Sequence, residues 1–285
     1  MGRRTQATSP EVGATIPVRP RKRADGVVHL LDPGQATASA NDPIPRCRSE
    51  TLVSVTRQMR IGIAFAAIAV AVYALMWVGY RAHWNWLDDL DSAALKPLHD
   101  YGVHHPGWVR FWNILATVLG PNGFRVLGAV VIVIAAVRRN LRAALFLVLT
   151  MWLSGYVTDA AKGIANRPRP PGALVASGLS SFPSGHALDV MAAVLALLTV
   201  SAGLFRHSVR VLTIVAGALI VLVVGLSRVV LNVHYPSDVL AGWALGYLWF
   251  FLCFLVIRPQ PAARGGAVPT RAEAEDRPEA PTSPG

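Results

Sequence analysis

Long apolar stretches alternate with short polar turns along most of this chain. Six apolar runs stand out, at 61–80, 123–137, 141–160, 186–205, 209–227 and 236–257. Most approach the roughly 20 residues a helix needs to cross about 30 Å of hydrocarbon, so each predicts a spanning helix. The second run is short by that measure. It extends backwards through 109–119 if Gly120-Pro121-Asn122-Gly123 is read as a kink or break within one span. The segments outside this pattern, 1–56 and 259–285, are rich in Pro, Ser, Thr, Ala and Arg and show no helical or strand period. They are expected to be disordered tails around one six-span domain at 57–258.

The arginines then set an orientation. Arg57 and Arg60 precede the first run, and Arg138, Arg139 and Arg142 fill the turn after the second. Arg206 and Arg210 fill the turn after the fourth, and Arg258 and Arg264 follow the sixth. Six crossings put all four clusters on one side, which the positive-inside rule makes cytoplasmic, with both termini. The segments 81–122, 161–185 and 228–235 then read as outer loops. In the first, Asp88, Asp89, Asp91 and Asp100 lie among tryptophans as in an interfacial segment. The polar start of the chain has no apolar run before residue 61, so the first run reads as a retained anchor rather than a cleaved signal.

Composition agrees with the membrane reading. Hydrophobic residues make up 53% of the chain against 15% charged, beyond the usual soluble range. The net charge of +11 would suggest nucleic acid in a soluble protein. Here it sits in short clusters beside apolar runs, with no zinc-finger spacing, RNP motif or long basic helix, and nucleic acid is set aside. Cys47 lies in a polar tail and Cys253 inside an apolar run, so no disulfide is expected.

Three polar clusters gather at the ends of apolar runs, where ionisable groups are costly enough to need a reason. They are Lys162-x6-Arg169-Pro170, Pro183-Ser184-Gly185-His186, and Ser227-Arg228-x5-His234-x3-Asp238. On the topology above, all the helix ends that carry them emerge on the outer side. Lys162, Arg169 and Arg228 supply three cations, and Arg167 could supply a fourth. Arginine suits phosphate because its planar fork donates two parallel hydrogen bonds. Ser184 and Gly185 fall where the fourth span begins, so their backbone N–H groups are free to point at an anion. His234 and Asp238 are four apart at the start of the sixth span, which places them on one helical face. The carboxylate can then orient the imidazole, leaving the other ring nitrogen free to attack phosphorus. His186 is placed to protonate a leaving oxygen and later to activate water. No carboxylate cluster suited to Mg²⁺ accompanies these residues, and the scheme requires neither metal nor cofactor.

The three clusters resemble the three motifs of the type 2 phosphatidic acid phosphatase (PAP2) superfamily, in the same order and without a departure. The match spans 162–238, and the six-helix layout extends it over about 61–257. The resemblance implies an all-α, six-span membrane phosphatase that works without metal through a phosphohistidine. It implies His234 as nucleophile, His186 as acid/base and Asp238 as orienter. Lys162, Arg169, Ser184, Gly185 and Arg228 would hold the phosphate. The residues by themselves do not rank His234 above His186 as nucleophile. The expected substrate is an amphipathic lipid phosphate or diphosphate: polyprenyl diphosphate, phosphatidate or phosphatidylglycerol phosphate. Its headgroup would enter from the outer leaflet, with the deciding contacts in 81–122 and on helix faces. The same phosphohistidine could instead serve a phosphotransferase. A lipid-binding or transport protein is a further alternative, although a binding site needs no nucleophile. Oligomeric state is not legible. Gly242 and Gly246 form a G-x-x-x-G pair, expected to permit close helix packing within the monomer.

Overall fold

A computed structural model describes residues 46–178 and 180–259, with side chains from residue 57. The chain divides into the units Met1–Thr51 and Leu52–Gly285, and the fold below is that of the second. The expected tails lie outside the described residues except at 46–56, which begin the helix Arg46–Arg81 rather than ending a disordered tail, and at Pro259. The side chain of Cys47 also lies outside them, and Cys253 is buried and free.

The described residues are helical, without a named strand. The order is α1 (Arg46–Arg81), α2 (Asn85–His104), α3 (Pro106–Val118), α4 (Pro121–Val137), α5 (Leu141–Trp152), α6 (Ser154–Ala165), α7 (Gly185–Ser201), α8 (His207–Val230) and α9 (Pro236–Ile257). Five stretches are long and apolar enough to cross a membrane: Arg57–Arg81, Pro106–Val137, Leu141–Ala165, His207–Val230 and Pro236–Ile257. The sixth, α7, is shorter, at 17 residues.

The backward extension of the second span through 109–119 is present as α3, and the break falls at Gly120-Pro121. Gly120 is extended (φ −83°, ψ −167°), as the residue before a proline prefers, and Pro121 restarts the helix where its missing N–H costs nothing. The segment 81–122 is not a loop. It forms α2 and α3, because Leu87, Asp91 and Leu95 recur along one face of α2 and are buried. α2 packs on α8 and α9.

α7 is the central helix, packed against α4, α5, α6, α8 and α9. Ala187, Leu188, Val190, Ala192, Ala193, Val194 and Ala196 are all buried. A helix apolar all round and enclosed by protein need not match the full thickness of the hydrocarbon. Around it, α1, α4 and α8 turn large apolar side chains outward, among them Phe65, Val126, Leu212 and Leu222. In water such a surface would aggregate; against lipid tails it is solvated.

The G-x-x-x-G pair sits at the α7–α9 contact. A Cβ at position 242 would lie 2.5 Å from the Ser184 carbonyl oxygen and 2.9 Å from Ala187 Cβ. At 246 it would lie 2.5 Å from the Leu188 carbonyl oxygen. Those oxygens are backbone and cannot swing aside. Gly242→Ala is therefore expected to push the helices apart and destabilise the protein by about 1–3 kcal/mol, as overpacking does. Thermal unfolding in detergent checks this, and an unchanged Tm would disprove the close packing.

Candidate active site

α6 ends at Asn166, whose left-handed backbone (φ 45°) turns the chain into the segment 167–184. That segment lies across the α8–α9 turn. Asn232, also left-handed (φ 54°), makes the turn sharp. Its amide donates to the carbonyls of Pro171 (2.7 Å) and Gly172 (3.1 Å). Leu174 N donates to Leu231 O at 3.1 Å. These bonds hold the first cluster against the third.

Arg169 reaches across this junction. Its Nε donates to the Gly178 carbonyl, and its Nη1 donates to Val233 O at 2.6 Å. The same Nη1 lies 3.2 Å from His234 Nε2. An arginine can only donate, so Nε2 is the acceptor and the ring proton belongs on Nδ1. His234 is 2% exposed. Burial, against the pull of Asp238, pushes its pKa down to about 4, so the ring is neutral at neutral pH.

His234 does not belong to α9. The helix starts at Pro236, so the shared helical face expected from the spacing is not how the pair meets. The N-terminal turn brings them together instead. Asp238, at the third helical position, accepts the Tyr235 N–H at 2.9 Å through Oδ2, capping its own helix. The same Oδ2 then lies 3.5 Å from His234 Nδ1. That is an electrostatic contact, too long for a good hydrogen bond, and Nδ1 has no hydrogen-bond partner.

The second cluster enters through α7. Ser184 is the residue before the helix and Gly185 its first, as expected. The Ser184 backbone N–H is not free, because it donates to Asp238 O at 3.0 Å. Its hydroxyl, by contrast, is buried without a partner, and so is Arg228 Nε at the end of α8. Lys162, Arg169, Arg228 and His234 all lie within electrostatic reach of the His186 ring. Ionisable residues of all three clusters thus converge around His186, with Asp238 beside His234.

Arg167 is the exception in role. It is 4% exposed and bonded to carboxylates, Nη1 to Asp238 Oδ1 at 2.7 Å and Nη2 to Asp91 Oδ2 at 2.9 Å. Burial alone would lower its pKa, but Asp238 and Asp91 more than offset that and raise it. It is not a fourth cation for phosphate. Asp91 is equally misplaced by the sequence reading: it is not interfacial but 1% exposed. No motif marks it. The signal that could have found it is its place between Leu87 and Leu95 on the apolar face of α2.

Two hollows flank the site. One, of about 440 Å³, is lined by Lys96, His99, Pro171, Asn232 and Tyr235 among others. The other is an apolar groove of about 460 Å³ between α2, α8 and α9, lined by Leu98, Leu226, Val229, Val239 and Trp243 among others.

The chain is similar to known proteins in sequence and in fold. The PAP2 superfamily matches residues 143–261. Phosphatidylglycerophosphatase B of Bacillus subtilis (strain 168) is 33% identical over 177 residues, covering 60% of this chain and 84% of that protein. The crystal structure of a transmembrane PAP2 type phosphatidylglycerolphosphate phosphatase from Bacillus subtilis has a similar fold, with a TM-score of 0.56 at 24% identity. The likeness covers 68% of this chain and 94% of that one. The three clusters, the helices that carry them and these likenesses agree: the chain belongs to the PAP2 superfamily and is a multi-pass membrane lipid phosphatase.

Proposed function

We propose that the protein hydrolyses a lipid phosphate or diphosphate through a phosphohistidine on His234, without a metal, at a site open to the outer face of the membrane. One observation carries most of this reading. Two buried donors of different elements, the Ser184 hydroxyl and Arg228 Nε, have no protein partner, and Arg228 lies with Lys162, Arg169 and His234 within electrostatic reach of His186. Buried donors without partners are costly, and a phosphate would satisfy both.

In the first step, His234 Nε2 attacks phosphorus. The bond from phosphorus to the lipid oxygen breaks, its electron pair leaves with that oxygen, and His186, protonated when the phosphate dianion binds beside it, supplies the proton. Arg169, which contacts Nε2 in the free enzyme, transfers its donor to a phosphoryl oxygen. Lys162, Arg228, Ser184 and Gly185 hold the remaining oxygens. As positive charge develops on the ring, Nδ1–H closes on Asp238. In the second step, water attacks phosphorus and gives its proton to His186. The P–N bond breaks towards Nε2, and inorganic phosphate is released. Preorganised donors to the equatorial oxygens each contribute about 10²–10³ in rate.

The relative's name makes phosphatidylglycerol phosphate the first substrate to try, ahead of phosphatidate and polyprenyl diphosphate. The apolar groove beside the start of α9 suits an acyl or prenyl tail. The arginine-rich turns at the far ends of α4, α5, α7 and α8 favour a cytoplasmic side opposite the site. The test is phosphate release by the purified protein in detergent with excess EDTA on the three lipids, without an added acceptor. Release on at least one supports the hydrolase. Phosphate appearing only when a lipid or sugar hydroxyl is supplied, and then as a new ester, identifies a phosphotransferase.

A further inference from the structure

Asp91 belongs to α2, outside all three clusters, yet it reaches the first turn of α9. Its Oδ1 accepts the Ser237 N–H at 3.0 Å, and its Oδ2 accepts the Ser237 hydroxyl and, at 2.9 Å, Arg167 Nη2. Arg167 Nη1 donates in turn to Ser237 Oγ and to Asp238 Oδ1, each at 2.7 Å. The rings of Tyr235 and Tyr80 lie 4.0 and 4.8 Å from the guanidinium carbon. The cation is thus fixed at its edge by two carboxylates and enclosed by aromatic rings.

A buried ion network of this kind is weak evidence for stability, because desolvation offsets much of its attraction. Its geometry explains something else. Asp238 has two oxygens, and only one can face His234. Arg167 binds Oδ1, which leaves Oδ2 on the side of His234 Nδ1. Without Asp91, the guanidinium would lose its second anchor and α9 would lose an N-terminal acceptor at Ser237.

We infer that Asp91 and Arg167 are positioning residues, which set the rotation of the Asp238 carboxylate and the first turn of α9 so that Asp238 addresses His234. The inference rests on the proposed roles of His234 and Asp238, and the experiment must separate the two. Asp91→Asn keeps the shape of the side chain, and Arg167→Lys keeps the cation but cannot span both carboxylates. Each is compared with wild type and in an Asp238→Asn background, by kcat and KM on the best lipid and by the Kd of orthovanadate, a mimic of the five-coordinate phosphorus. Each single variant is expected to lower kcat about 10²-fold with KM within about threefold, since misplacement costs the chemical step more than binding. In the Asp238→Asn background the same substitutions should change nothing beyond about twofold, because the group they position is gone.

A purely structural role predicts the opposite: losses that add, tracking the fall in Tm. Additive losses, or wild-type kcat in Asp91→Asn and Arg167→Lys, would overturn the inference. If the wild type releases no phosphate from any lipid, the hydrolase reading fails, and orthovanadate still decides the positioning. Weaker binding in the single variants, absent in the Asp238→Asn background, supports it; equal affinity overturns it.

Discussion

Replacing His234 with alanine is expected to lower phosphate release by about 10⁴-fold or more while leaving the protein folded. The proposed mechanism makes the loss large, because it assigns the bond to phosphorus to His234 Nε2; the cations and Ser184, which it assigns to phosphate binding, cannot replace a nucleophile. The fold survives because the burial of Asp238 does not depend on His234. Its carboxylate remains bonded to Arg167 and to the Tyr235 N–H. The imidazole makes its Nε2 contact with an arginine that also holds the Val233 carbonyl, so Arg169 keeps a partner too. Two measurements check this together: release of inorganic phosphate in EDTA, and alkali-quenched labelling of the protein with a radioactive phosphoryl donor. Wild type should retain label on histidine and His234→Ala should not. Comparable turnover by His234→Ala would sink the mechanism.

His186→Gln is expected to lose about 10²–10⁴-fold, the range for a general acid or base, with a dependence on the leaving group that His234→Ala lacks. A lipid alkoxide departs poorly without a proton, so phosphatidate and phosphatidylglycerol phosphate should suffer most. A diphosphate expels a phosphate, which needs less help, so the loss on polyprenyl diphosphate should be smaller. With p-nitrophenyl phosphate the leaving group needs no proton at all. The first step should then proceed and the second should stall, because water is no longer activated. The signature is a burst of about one p-nitrophenolate per active site, followed by slow turnover. Equal losses across all leaving groups, with no burst, would remove His186 from the acid/base role.

These expectations draw unequally on sequence and structure. The apolar runs were legible because lipid imposes a length and a composition on any helix that crosses it, and both are written along the chain. The three polar clusters were legible because chemistry fixes residue types, and the short spacings within each cluster keep them together whatever the rest of the chain does. Even there, spacing along the chain does not fix the geometry. His234 and Asp238 meet through a helix-capping turn rather than along one helical face. The Ser184 N–H, expected to face an anion, is taken by the Asp238 carbonyl across the α7–α9 contact.

What the sequence determined by itself was the class of the molecule: an all-α membrane protein whose three polar clusters share one purpose. It did so because hydrophobic length, arginine placement and motif spacing act over a few residues or one span. What only the tertiary structure decided was the company each polar group keeps. Arg167 and Arg169 are two residues apart and look alike in the sequence. One is enclosed by Asp91, Asp238 and Ser237, and the other bonds Val233 O and approaches His234. Asp91 and Asp89 differ just as sharply, one buried and one exposed, because of the face of α2 each occupies against α8 and α9. A partner 76 or 146 residues away leaves no trace in local composition. Whether a charge holds a ligand or another side chain is settled by which of them can reach it once the helices have packed.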